Sequence, residues 1–175
     1  MATIENNGNR QATLAYDLGL MLKRELTTFC KEIELLPDEE SLWKVLQGIT
    51  NPVGTLALHV AGNLRYFVGA VIGGSSYKRN RDAEFSLRGL TREQVIEELN
   101  YAIEEVEAGL KVVTESMLSQ KYPVAIHGIT MPTSRFLLGL EAHAAFHLGE
   151  ASYLRRILTG ENITSDAVSL EPLAD

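Results

Sequence analysis

The stretch TSRFLLGLEAHAAFHLGEASYLRRIL, residues 133–158, has a strongly helical pattern. Gly160 follows it, at a position where a left-handed residue commonly ends a helix. Its apolar side chains recur at helical spacing, and two histidines fall on the same stripe. The pattern therefore predicts one long helix whose buried face carries Phe136, Leu140, His143, His147, Leu154 and Leu158.

Three earlier segments have the same period. The first spans about residues 11–35, and the second opens at Asn51-Pro52, read as an N-cap and a first helical residue, and closes at Gly73-Gly74. The third begins at Thr91, with Gln94 completing a capping box, and its apolar stripe continues to Met117. No segment alternates with the period of a strand. We therefore predict an all-α fold, a four-helix bundle with long connectors.

The domain organisation follows from these segments. We expect one bundle domain over residues 10–160, a flexible N-terminus over residues 1–9, and a C-terminal tail over residues 161–175 that is disordered. Two connectors, residues 75–90 and 119–132, are long for a bundle with tight turns. They could be crossovers between distant helices or covers over an active site.

Composition excludes several classes of function. The chain has 175 residues, with 16 lysines and arginines against 23 aspartates and glutamates, and its net charge is −7. Such an acidic chain is not expected to bind nucleic acid or anionic membranes. It has no apolar run of the ~20 residues that a membrane-spanning helix needs. Its one cysteine, Cys30, cannot form an intrachain disulfide, and it is expected to be a packing residue in a cytoplasmic protein without a signal peptide.

Three of the four histidines predict a metal site. His143 and His147 are one turn apart on one face, and His59 lies on the buried stripe of the second helix together with Asn63. Three neutral imidazoles from two helices could hold one divalent ion and leave coordination positions open for reaction. The alternative is that each histidine is a core residue hydrogen-bonded to a carbonyl, which for His59 taken alone is the commoner arrangement.

Glu150 is the candidate catalytic residue. The pair of histidines lacks the glutamate that follows the first histidine in zinc metalloproteases, and Glu150 can reach the same face. It could ligate the metal, orient an imidazole or accept a proton; it could equally be a surface residue paired with Arg155 or Arg156. His127 is expected to be an exposed or lightly packed connector residue; the alternative is that it, like Glu150, handles a proton in a hydrolytic reaction.

Three blocks of sequence resemble the DinB-like family of bacterial proteins. They are NPVGTLALHVAGNL (residues 51–64), RNRDAEF (79–85) and HAAFHLGE (143–150), and they occur in the family's order and spacing. The resemblance implies a four-helix bundle that often forms a homodimer. It also implies a divalent metal held by His59, His143 and His147. We expect this metal to be zinc or nickel, with iron or manganese as alternatives. Where many members carry glutamine, this chain has Glu150.

The resemblance also implies a chemistry. Known members transfer low-molecular-weight thiols such as bacillithiol or mycothiol, or are related isomerases, and others are described as metal-dependent hydrolases. We therefore expect an enzyme that transfers a small thiol to an electrophilic small molecule, with metal-dependent hydrolysis as the alternative. One further alternative is a protein that senses or stores metal without catalysis. Another is a non-catalytic helical module whose histidines are core residues and which binds a protein partner through its acidic surface and Trp43. Arg79, Arg81 and Glu84 could contact substrate or only fasten their connector.

Overall fold

The structure, a computed structural model, describes residues 12–174. The predicted flexible N-terminus, residues 1–9, lies outside the described residues. Among the described residues, no helix combines the length and the apolar composition needed to cross a membrane. The α-helices are α1 (Thr13–Glu34), α2 (Glu39–Trp43), α3 (Val53–Leu64), α4 (Arg81–Ser86), α5 (Arg92–Lys111), α6 (Glu115–Ser119) and α7 (Thr133–Thr159).

The long helices α1, α3, α5 and α7 form the bundle. Helix α1 packs mainly against α5 and α7, and α3 packs mainly against the same two helices, so that α1 and α3 occupy opposite corners. Each contributes one apolar stripe to a common core, as amphipathic helices of a bundle do. The prediction of an all-α four-helix bundle is confirmed. The fully buried core side chains include Leu22, Phe29, Val60, Leu64, Leu99, Val106, Leu137 and Ala144.

The predicted start of the third long helix is confirmed, and its predicted end is wrong. The Thr91 hydroxyl accepts from the Gln94 amide at 3.3 Å, and the Gln94 side chain accepts from the Thr91 amide at 2.9 Å. This capping box satisfies two donors of the first turn. Helix α5 ends at Lys111, however, and Met117 lies in the separate helix α6. The apolar spacing continues across this break because both helices face one core.

The start of α3 lies one residue later than predicted. Pro52, with φ −69° and ψ 166°, is the N-cap in place of Asn51, and Val53 is the first helical residue. At its other end the helix widens into a π-helical segment, Arg65–Ala70, in which the Val71 amide donates to the Tyr66 carbonyl at 2.9 Å. This widening, which the sequence pattern did not predict, lies against α5, where a Cβ at Gly109 would be 2.5 Å from the Val68 oxygen.

The two long connectors span different distances in the bundle: one joins adjacent helices and the other crosses to the opposite corner. Residues 75–90 join the adjacent helices α3 and α5, and this connector carries α4, which packs on α3. Residues 112–132 cross from α5 to the opposite corner, where α7 begins. Their second half makes a tight turn in which Ile126 and Ile129 exchange backbone hydrogen bonds at 3.0 and 2.9 Å. His127, with φ +50°, lies exposed at the tip of that turn, as expected of a connector residue.

The segment after α7 returns to the bundle. Ser165 is buried and its hydroxyl donates to Glu32 of α1 at 2.6 Å, while the Ile163 carbonyl accepts from Arg155 of α7 at 2.6 Å. The short 3-10 turn Glu171–Leu173 also packs against α1. The prediction of a disordered tail is therefore wrong for its described residues. The reason is that Arg155 and Glu32 are fully buried and need these polar partners.

Candidate metal centre

Three imidazoles converge between α3 and α7. The Nε2 atom of His143 lies 3.2 Å from Nε2 of His59 and 3.2 Å from Nε2 of His147. The ligand atoms of all three residues lie within 4.8 Å of one another. The structure therefore brings together the three histidines that the sequence singled out, in a group that could bind a metal ion.

The local helical geometry explains this convergence. Positions 143 and 147 are one turn apart on α7, so their side chains project from the same face. Every residue of α3 is buried, and His59 faces α7 with only 7% of its surface exposed. The rings meet edge to face, at 89° for His143 with His147 and 78° for His59 with His143. The 3.2 Å distances from Nε2 of His143 to the other two Nε2 atoms show that these nitrogens point toward a common centre.

A buried carboxylate is hydrogen-bonded to Nδ1 of His59, the ring nitrogen that does not contact His143. The Nδ1–H of His59 donates to Oε2 of Glu84 at 2.9 Å, and Glu84 is 5% exposed. Arg79 donates to both oxygens of Glu84, from Nε at 2.6 Å and from Nη2 at 2.8 Å. Burial raises the pKa of Glu84, but the hydrogen bonds from Arg79 and His59 outweigh burial and the pKa is lowered. Glu84 is therefore a carboxylate that orients an imidazole.

A second carboxylate contacts His147. Its Nδ1–H donates to Oε2 of Glu150 at 2.7 Å, and the Glu150 side chain is 42% exposed. The alternative pairing with Arg155 does not form, because Arg155 is bound to Glu32 in the core. Glu150 therefore occupies the position of an orienting residue, while a catalytic role for it stays a prediction.

The protonation of the three rings fits a cation. In the tautomer that donates from Nδ1 to Glu84 or to Glu150, the Nε2 atom of His59 or of His147 presents a lone pair. Burial and the neighbouring His147 and His59 lower the pKa of His143 to about 4, so this ring is neutral at neutral pH. A neutral His143 ring carries one proton, so its Nε2 can donate a hydrogen bond to only one of the two neighbouring Nε2 atoms. Two nitrogens bound to one tetrahedral zinc ion lie roughly 3.3 Å apart, and the observed 3.2 Å separations match that spacing.

The connector over the site was only partly anticipated from the sequence. Of the two roles considered for Arg79 and Glu84, contact with substrate or fastening of the connector, the structure shows that they fasten the connector. The contact of Glu84 with His59 was not predicted. The ring of Phe85 also lies 4.7 Å from the His59 ring, and Arg81 lies over Phe85 at 4.9 Å. The sequence does place a carboxylate, Glu84, in the connector that follows the helix carrying His59. This is the feature from which the contact could have been predicted.

A cleft of about 660 Å³ opens beside Glu150. This volume lies in the range of pockets that bind small molecules. Its polar groups include Glu150, Asn51 and Thr50. Most of its wall is apolar and is formed by Ile49, Leu56, Phe146, Tyr153, Leu154 and Ile157.

Residues 20–170 match the family described as "Protein of unknown function (DUF1572)". The chain belongs to this family. A search of curated proteins found no match. Among solved structures, the chain is similar to the crystal structure of a DinB-like protein from Bacillus cereus ATCC 10987, with 20% identity and a TM-score of 0.60. The match covers 77% of this chain and 86% of that chain. The fold is thus DinB-like, and the family resemblance is confirmed.

Proposed function

We propose that this protein is a metal-dependent enzyme in which His59, His143 and His147 hold one divalent cation. The observation that supports this most is that Nε2 of His143 lies 3.2 Å from Nε2 of both His59 and His147, while carboxylates orient these two rings through Nδ1. Carboxylate–histidine pairs of this kind set the tautomer and direction of metal ligands. Three protein ligands leave room for a substrate atom, as in catalytic sites.

The residues around the site would handle a nucleophile. A bound divalent cation lowers the pKa of a thiol or a water molecule at an open position. Glu150 uses Oε2 to hold His147, and its Oε1 has no protein partner among residues 12–174. That oxygen is available to accept the proton that the nucleophile loses. The apolar cleft that Glu150 lines would receive the body of the small-molecule electrophile.

Thiol transfer is the reaction that we favour. The sulfur of a low-molecular-weight thiol would form a bond to an electrophilic carbon of the second substrate. The leaving group would depart with its electron pair, and the thiol proton would pass to Glu150 or solvent. The thiol must come from a small molecule, because Cys30 is 8% exposed and burial raises the pKa of its own thiol to about 11.

The remaining parts of the proposal concern partners and location. The net charge of −7 supports a small-molecule substrate over nucleic acid. We also propose a cytoplasmic location, which is supported by the single cysteine of the chain because it cannot form an intrachain disulfide. The proposed homodimeric assembly rests on the family resemblance alone.

A panel of thiols tests the proposed reaction. Bacillithiol, mycothiol, glutathione and cysteine are each mixed with chlorodinitrobenzene and zinc- or nickel-loaded protein, and the release of chloride is followed. We expect turnover with at least one thiol, its loss in His143→Ala, and its retention in His127→Ala, which removes an exposed connector histidine outside the three-histidine group. Metal-dependent hydrolysis of nitrophenyl acetate without any thiol-dependent turnover would instead support the hydrolase alternative.

A further inference from the structure

Glu84 occupies space that exists only because residue 62 is glycine. Gly62 lies on α3, three residues after His59, and it is buried. A Cβ at this position would lie 2.5 Å from Oε1 of Glu84 and 3.0 Å from its Cδ. Such distances are incompatible with the present position of the carboxylate. Any larger residue at position 62 must therefore displace Glu84.

We infer that Gly62 and Glu84 form a positioning pair for His59. The absent side chain at Gly62 lets the Glu84 carboxylate reach Nδ1 of His59 at 2.9 Å, and this contact directs Nε2 toward His143. Glu84 acts through His59 and is itself a positioning residue. The inference rests on the proposed function, because it concerns the affinity of the same three-histidine centre for metal.

The connector holds Glu84 against α3 from the other side. Arg79 binds both carboxylate oxygens, and Asn80 caps the start of α4 by accepting from the Ala83 amide at 3.1 Å. The next side chain, Phe85, lies against the His59 ring. The carboxylate is thus clamped between the connector and the surface of Gly62. Its position, and with it the orientation of His59, depends on both.

Loss of either member of the pair has a defined consequence. When the acceptor at Nδ1 is displaced, or is replaced by a weaker amide oxygen, His59 can place its proton on Nε2, the atom that would ligate the metal. Substitutions that remove such an outer partner typically weaken metal binding by about 10- to 100-fold. We expect Gly62→Ala and the isosteric Glu84→Gln each to show a loss of this size. Since both act through one contact, the double variant should lose no more than the weaker-binding single variant.

A matched control is available in the same chain. A Cβ at Gly69 would lie 2.5 Å from Oε2 and 2.9 Å from Cβ of Glu105, so Gly69→Ala also forces a glutamate side chain to move. Glu105 pairs with Arg65 and has no contact with the three histidines. Gly69→Ala therefore shows how far an added methyl group that displaces a glutamate changes folding and Zn²⁺ affinity when that glutamate does not contact His59.

The experiment measures Zn²⁺ affinity by competition with a chromogenic chelator, and the visible spectrum of the Co²⁺-loaded protein. Thermal melts by circular dichroism confirm that each variant is folded. We expect weaker Zn²⁺ binding and an altered Co²⁺ spectrum in Gly62→Ala and Glu84→Gln, and neither change in Gly69→Ala. Equal Zn²⁺ affinity in Gly62→Ala and Gly69→Ala would overturn the inference while leaving the metal centre intact. Failure of the unsubstituted protein to bind Zn²⁺ or Co²⁺ would overturn the proposed function itself.

Discussion

His147 and Glu150, three residues apart on α7, are joined through Nδ1 and Oε2 at 2.7 Å. The contact places one carboxylate oxygen against a candidate metal ligand, and Glu150 also lines the open cleft. Unlike Glu84, which is buried and held by Arg79, Glu150 is partly exposed and has room to exchange protons. The two carboxylates therefore have different roles in the proposed reaction.

The first prediction concerns Glu150→Gln. We expect metal affinity to fall by about tenfold, since glutamine is a weaker acceptor for Nδ1 of His147. With saturating metal, we expect thiol-transfer turnover to fall by roughly 100-fold, because an amide cannot accept the proton. Turnover is measured beside Glu104→Gln, which changes an exposed glutamate on α5. Equal turnover of the two variants at saturating metal would show that Glu150 only orients His147.

The second prediction concerns the buried ion pair between α1 and α7. Arg155 donates from Nε to Oε2 of Glu32 at 2.7 Å, and neither side chain is exposed. Arg155→Leu would strand the Glu32 charge and remove the donor of the Ile163 carbonyl. We expect the free energy of unfolding in urea to fall by about 3–5 kcal/mol.

The control for that pair is Arg135→Leu, an exposed arginine in the first turn of the same helix. Its effect should stay within about 0.5 kcal/mol, as for most surface substitutions. If both variants lose the same stability, the buried pair has no special role in joining the C-terminal segment to the bundle.

The third prediction concerns Cys30. Burial raises the pKa of its thiol from 9.0 to about 11, with a smaller contribution from the Glu34 charge. At pH 8 the thiolate population is then about 100-fold lower than in the unfolded chain. Iodoacetamide should therefore label the native protein at least that much more slowly than the protein in urea. Equal labelling rates would contradict the buried, protonated thiol.

The same shift has a consequence for stability. Because the folded-state pKa of Cys30 is raised, the folded state resists loss of this proton more than the unfolded state does. The contribution is fully present below pH 9 and is lost as the pH rises toward 11. Cys30→Ser should flatten the alkaline loss of stability between those values, measured by urea unfolding.

Much of the fold and of the candidate site could be predicted from local spacing. The apolar period identified the four long helices, and the i, i+4 spacing placed His143 and His147 on one face. The contact of Glu150 with His147 was likewise within reach of an i, i+3 argument. These features depend on residues within one or two helical turns of each other, and for this reason they could be predicted from a single sequence.

Features set by packing between distant segments were not predicted. Glu84 is 25 residues from His59, and its approach depends on the missing side chain of Gly62. The π-helical widening of Arg65–Ala70 lies against Gly109 on another helix. The order of the C-terminal segment depends on Arg155 and Glu32 being buried together. In each case the decisive partner lies far away in the chain, so local pattern carries no trace of the pairing.

The most direct test of the account is the metal content of protein purified without an affinity tag, measured by inductively coupled plasma mass spectrometry. We expect about one divalent ion per chain in the unsubstituted protein and in His127→Ala, and almost none in His143→Ala. Circular dichroism should show that all three proteins are folded. An unchanged metal content in the double variant His143→Ala, His147→Ala would contradict the three-histidine centre.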